Sequence, residues 1–157
     1  MARLPDGTEI DGKKLGACVI VMTPKGFVFI EKPLKQRGYE CPGGHGEEED
    51  ESLQECAARE LAQETGIYAD LEDLRLIDEP RIRHTLGTSE IECVTGMFLL
   101  QLSYMPKLKK FGNDGEIVHL VKQRDLRTIR VFPPHFSYLT KAMNMLDVRR
   151  WEQQKAA

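Results

Sequence analysis

Glu60 and Glu64 stand four residues apart within the strongest helical signal of the chain. At 3.6 residues per turn, that spacing puts both carboxylates on one helix face, a few ångströms from each other. Like charges held so close repel unless a cation lies between them. Magnesium and manganese are the hard divalent ions that carboxylate oxygens suit. Gln63 lies nearly on the same face and can offer a neutral carbonyl oxygen, although it can neither carry charge nor act as a base. Upstream, Gly43 and Gly44 follow Pro42 and let the backbone turn sharply, bringing carbonyls or amides close to such an ion. Glutamates at this spacing on an exposed helix usually only meet water. The ordered combination of Pro42-Gly43-Gly44, then Glu51, then Arg59-Glu60-Leu61, Glu64, Gly66 and Ile67 is what points to chemistry.

The element that must hold the pair is a helix over 51–64. Ser52 is its expected N-cap, with Glu55 three residues on completing a capping box, and Gly66 is the stop. Leu53, Cys56, Ala57, Ala58 and Leu61 supply the apolar stripe, expected on the face roughly opposite the glutamates. Arg59 is expected to pair with Glu55 or Glu51. The apolar run 15–23 reads as a strand buried on both faces, returning through the Pro24-Lys25-Gly26 turn into 27–30. A short stretch, 39–41, stops at Pro42; further strands are expected over 74–77, 91–102 and 116–121, and Phe136, Leu139, Met143 and Leu146 predict a closing helix over 135–149. Strands and helices mix without regular alternation, which predicts an α/β chain with a mixed sheet covered by helices.

The segment 42–67, PGGHGEEEDESLQECAARELAQETGI, resembles the Nudix box, G-x5-E-x7-R-E-U-x-E-E-x-G-U with U aliphatic. From Glu51 through Arg59, Glu60, Leu61, Glu64, Gly66 and Ile67 the register is kept. Six residues separate Gly44 from Glu51 where the pattern has five, and Gln63 replaces one box glutamate. The resemblance implies a Nudix fold, an α/β/α sandwich around a mixed sheet. It implies hydrolysis of a diphosphate linkage in a nucleoside diphosphate joined to a further moiety, with Mg2+ or Mn2+. Glu64 would then be the principal metal ligand, Glu60 a second and the Gly43 carbonyl a third, while Glu51 and Arg59 would brace loop and helix. The alternative is a catalytically silent domain that binds a nucleotide as a sensor, to which Gln63 and the insertion point.

The resemblance implies a further acidic metal ligand from a later strand or loop; the candidate is Glu116, which opens a strand after a flexible loop, with Asp114 as its substitute. Divalent ions offset the charge of a diphosphate and acidify water, and a glutamate takes the proton; Glu60, Glu64 and Glu116 are the candidates for that base. For substrate contacts, Arg37 and Tyr39 precede the box, and Tyr39 could stack on a nucleobase. Arg81, Arg83 and His84, or Lys107, Lys109 and Lys110, could hold phosphates. Phe132-Pro133-Pro134 resembles the closing segment of MutT-type nucleotide sanitisers, but His135 and Phe136 stand where those read an oxidised guanine with asparagine. Neither these residues nor Pro80 names the substrate.

Composition excludes other classes. With 157 residues, 41% apolar, 30% charged and a net charge of −3, the chain reads as one globular domain, 1–157. No run is long enough to span a membrane, and 1–9 does not resemble a secretory signal. The four dispersed cysteines are expected to be reduced thiols of a cytoplasmic protein. Without a basic cluster the chain lacks the mark of a dedicated nucleic-acid binder. A homodimer is compatible with the expected fold, and the partner implied is a nucleotide.

Overall fold

A computed structural model describes residues 1–86 and 89–156, and their side chains except those of 82–86, 89, 91 and 147–156. Among the described residues, ten strands and two α-helices follow one another as β1 (Ala2–Arg3), β2 (Glu9–Ile10), β3 (Leu15–Thr23), β4 (Gly26–Glu31), β5 (Tyr39–Glu40), β6 (Gly43–His45), α1 (Leu53–Thr65), β7 (Arg75–Asp78), β8 (Arg81–Leu86), β9 (Ser89–Gln101), β10 (Ile117–Val121) and α2 (Pro133–Ala156). β1 and β2 form a small hairpin. The other eight strands form one mixed sheet with the central order β10-β4-β3-β9-β7, in which β3 and β9 run parallel and the remaining pairs antiparallel.

The alternation of β3 decides the layering. Leu15, Ala17, Val19 and Val21 point to a core shared with Leu53, Cys56, Ala57 and Leu61 of α1. Ile20, between them, joins Phe27, Phe29 and Leu99 in a second core closed by Leu139 and Ala142 of α2. A period of two thus sends successive side chains of one strand into opposite cores, and the sheet needs a helix on each face. This is the expected α/β/α sandwich. The four cysteines are free. No described helix is long and apolar enough to cross a membrane.

Several expected boundaries shift for physical reasons. α2 begins at Pro133 instead of 135, because proline fits a helix's first turn, where amide hydrogens have no partner in the helix. The stretch read only as a basic cluster, Arg81 to His84, is part of strand β8, paired with β9 from Arg81↔Val94 to Leu86↔Ser89. Its alternating arginines gave charge but no apolar period. β6 was not expected either, since glycine weakens a strand; it forms because β3 pairs with it along Gly16↔His45, Ala17↔Gly44 and Cys18↔Gly43.

Candidate functional site

α1 starts as its sequence predicts. Ser52 Oγ accepts from the Glu55 amide at 3.1 Å, while the Glu55 carboxylate reaches back to the Glu51 amide at 2.7 Å. Gly66 closes the helix with φ 82°, its amide donating to Ala62 O at 3.0 Å. The expected opposition of glutamates and apolar stripe is corrected. Positions 53, 57, 60 and 64 fall on successive turns of one stripe, so Leu53 and Ala57 are followed along the helix by Glu60 and Glu64. The first pair meets the sheet core, whereas the second meets the backbone of β6, and Glu64 is only 3% exposed.

β6 fits beneath these carboxylates because it has no side chains there. Gly43 and Gly44 lie in extended backbone, which corrects the expected sharp turn. A Cβ on Gly43 would run into the carbonyl of Ala17, and one on Gly44 would stand 2.6 Å from the carboxyl carbon of Glu60. The register finishes the arrangement. Val19 N bonds to Pro42 O at 2.8 Å and Gly46 N to Leu15 O at 2.7 Å, so Gly43, opposite Cys18, occupies a position whose amide and carbonyl turn away from β3. The freed amide donates to Glu64 Oε1 at 2.6 Å.

The end of α1 positions the other acidic wall. Its last carbonyls have no partners inside the helix. Those of Gln63 and Thr65 accept from Asn113 N at 3.0 Å and Lys109 N at 2.8 Å, docking the 109–113 loop against the helix. Gln63 thereby acts through its backbone. Gly112 lies at the crossing, where a Cβ would approach Glu116 Oε1 to 2.6 Å and Glu64 O to 2.9 Å. Glu116, 6% exposed, accepts from the Asp114 amide at 2.9 Å. Glu60, Glu64, Asp114 and Glu116 together line one cleft of about 480 Å³, whose remaining walls include Gly43, Gly44 and the 32–35 turn.

Burial is the main reason that the Glu64 carboxyl is pushed up to about 8, against the bond from Gly43 and the field of Lys32; the charges of Glu60 and Glu116 push it further. Glu60 is raised too, by burial first, although the Arg59 guanidinium donates to its Oε1 at 3.0 Å.

Arg59 does not pair with Glu55 or Glu51. It bonds Asp50 Oδ2 at 2.8 Å, the His45 carbonyl at 3.0 Å and Glu60, with Glu47 3.4 Å away. Asp50 is buried at 6% exposure, while Glu51 is exposed. The acid that braces loop to helix is therefore Asp50, and the extra residue lies between it and Arg59. The signal was present, since five residues separate Gly44 from Asp50. The seven-residue spacing to Arg59 belongs to its neighbour Glu51.

The expected substrate contacts do not gather at the cleft. Arg37 bonds Glu40 at 2.8 Å and lies 4.6 Å over the Phe132 ring. The Tyr39 ring is stacked on His119, 4.3 Å between centroids, and borders a second cleft of about 570 Å³. Arg81 is exposed at the start of β8, and the side chains of Arg83 and His84 lie outside the described residues. Lys109 bonds Asn113, and Lys110 lies 5.7 Å over Phe111. His135, unexpected as a structural residue, accepts from the Cys41 amide through Nδ1 at 3.0 Å, which leaves the ring hydrogen on Nε2, 3.5 Å from Cys18 Sγ. Burial, with Arg37 and Lys32 nearby, lowers His135 to about 4, so the ring is neutral. Lys32, on the wall shared by both clefts, had no signal in the sequence.

Comparison with known proteins follows the same lines. A family model described as NUDIX domain matches residues 12–138. No curated protein matches the chain. Among solved structures, a Nudix hydrolase from M. smegmatis, RenU, aligns at TM-score 0.63 and 12% identity over 92% of this chain and 94% of that one. The NUDIX domain of Shewanella oneidensis NrtR, complexed with ADP ribose, aligns at 0.66 and 17% over 90% and 92%. A C. elegans Ap4A hydrolase aligns at 0.63 and 16% over 85% and 97%.

Proposed function

The chain belongs to the Nudix family of hydrolases, and from that premise we propose that it hydrolyses the diphosphate linkage of a nucleoside diphosphate joined to a further moiety, with Mg2+ or Mn2+ as cofactor. The observation that carries this reading is the buried Glu64 carboxylate, set between the backbone of Gly43 and two further acids, Glu60 and Glu116, in one open cleft.

The donor set fits a hard divalent ion. Glu64 sits in the fields of Glu60 and Glu116, a repulsion that a cation relieves. The Gly43 carbonyl, turned away from β3 with its amide, adds a neutral oxygen. Among the described residues no three acidic, histidine or cysteine side chains already converge as a ready-made ion site. Holding the ion therefore calls for the Glu60 and Glu116 side chains to turn from Arg59 and the Asp114 amide. When bound, the ion supplies charge neutralisation for the diphosphate and makes a water more acidic.

This chain's residues do the rest. Arg59 and Asp50 lock the glycine strand against α1, so the carboxylates keep their spacing. The loop docked on the helix end brings Glu116 to the same cleft. One of Glu60, Glu64 and Glu116 takes the proton of the attacking water, and Arg37, Tyr39 and Arg81 remain the proposed substrate contacts. The reading places the enzyme in the cytoplasm, acting on a free nucleotide.

The test is a panel of nucleoside triphosphates, ADP-ribose, nucleotide sugars and dinucleotides, incubated with magnesium and then with chelator. Release of AMP or phosphate that stops with chelator is the expected result. Absence of turnover across the panel, with nucleotide still bound, would mark a sensor instead.

A further inference from the structure

The wall of the cleft that faces the acids begins at Lys32. This residue follows the end of β4 and precedes Pro33, which confines it to extended backbone, with φ −101° and ψ 95°. Its carbonyl accepts from the Lys35 amide at 3.0 Å, closing a single helical turn. The main chain beneath the lysine is thus fixed, while its ammonium is not.

Lys32 is half-buried, yet no hydrogen bond or ion pair engages its ammonium among the described residues. The comparably sheltered cations behave differently: Arg37 pairs with Glu40, and Arg59 with Asp50 and Glu60. The stem of Lys32 packs on the cleft wall while its ammonium stays in water with no protein partner among the described residues, which leaves it free to meet an anionic ligand. Its charge is felt by Glu64 and Glu60 on one side and by Cys18 and His135 on the other. Lys32 and Pro33 also line both the acidic cleft and the second cleft beside Tyr39.

A diphosphate entering the acidic cleft meets Glu60, Glu64, Asp114 and Glu116 together, and needs positive charge from the protein as well as from an ion. His135 is neutral and Arg37 is already paired, so neither supplies it, and Lys35, which lines the acidic cleft, does not reach the second one as Lys32 does. A lysine acts on phosphate as a flexible point charge that can follow oxygens of either phosphate.

We propose that Lys32 grips the phosphate chain of a nucleoside diphosphate substrate at the wall common to the two clefts, leaving one end of the substrate in each. The proposal rests on the hydrolase reading above, and its test separates the two. ADP is titrated by calorimetry into wild type, Lys32→Met and Lys32→Arg with magnesium present, alongside manganese alone and a thermal melt. Lys32→Met should bind ADP at least tenfold more weakly and raise KM by a similar factor with a smaller change in kcat. Lys32→Arg should recover most of that loss, and manganese binding and melting should stay near wild type. If Lys32→Met binds ADP as tightly as wild type, or loses it only together with manganese binding, the proposal is overturned. If wild type turns over no diphosphate but Lys32→Met still loses ADP, the grip stands and the hydrolase reading falls.

Discussion

The Gly43 amide donates to Glu64 Oε1 at 2.6 Å, joining a glycine strand to a helix end 21 positions away in the chain. That bond holds a carboxylate in a place where burial opposes its charge. It depends on two features at once: the register of β6 against β3, which frees the amide, and the bare α-carbons of Gly43, which lets β3 lie close, and of Gly44, which lets α1 approach.

Replacing Glu64 with glutamine keeps the shape and removes the charge. Turnover of the best substrate should fall by about 10²–10⁴-fold, while circular dichroism and the melting profile with chelator stay those of a folded protein. A variant within threefold of wild type would remove Glu64 from the site.

The same substitution should change how stability depends on pH. Glu64 has its carboxyl raised from 4.5 to about 8, so the folded protein binds more protons than the unfolded chain between those values. The stability it contributes is full below pH 4.5 and is lost as pH rises through 8. In chelator, Glu64→Gln should therefore gain on wild type as pH climbs from 4.5 to 8 in urea titrations. Magnesium should stabilise wild type more than the variant. Parallel stability curves would contradict the burial argument.

Asp50 and Glu51 offer a direct contrast. Asp50→Ala strips a buried partner from Arg59 and should lower stability by about 2–3 kcal/mol. Glu51→Ala, at an exposed side chain, should stay within about 0.5 kcal/mol. Equal losses in urea unfolding would show that the bracing role is shared.

Gly112→Ala places a methyl against Glu116 and the Glu64 backbone. The Glu116 carboxylate can swing aside but the Glu64 carbonyl is main chain and cannot yield without shifting the docked loop, so kcat should drop by about 10²-fold, as expected for a displacement near 1 Å. Stability should fall by about 1–3 kcal/mol. Full activity would mean that Glu116 lies outside the working site.

Sequence alone determined the parts whose signals are local. Ser52, Glu55 and Gly66 bound α1 because caps act within one turn, and the apolar run of β3 announced a strand covered on both sides because alternation is a property of neighbours. The glutamate pair and the family pattern were legible for the same reason. Tertiary structure decided what depends on distant partners. Asp50 displaced Glu51 because only packing shows which of two adjacent acids turns inward to Arg59. Arg37 met Glu40 and Phe132, and Tyr39 met His119, because buried charge and half-buried rings are satisfied by whatever segment lies alongside. Lys32 gained its place from the meeting of two clefts, a relation between surfaces that no spacing along the chain encodes.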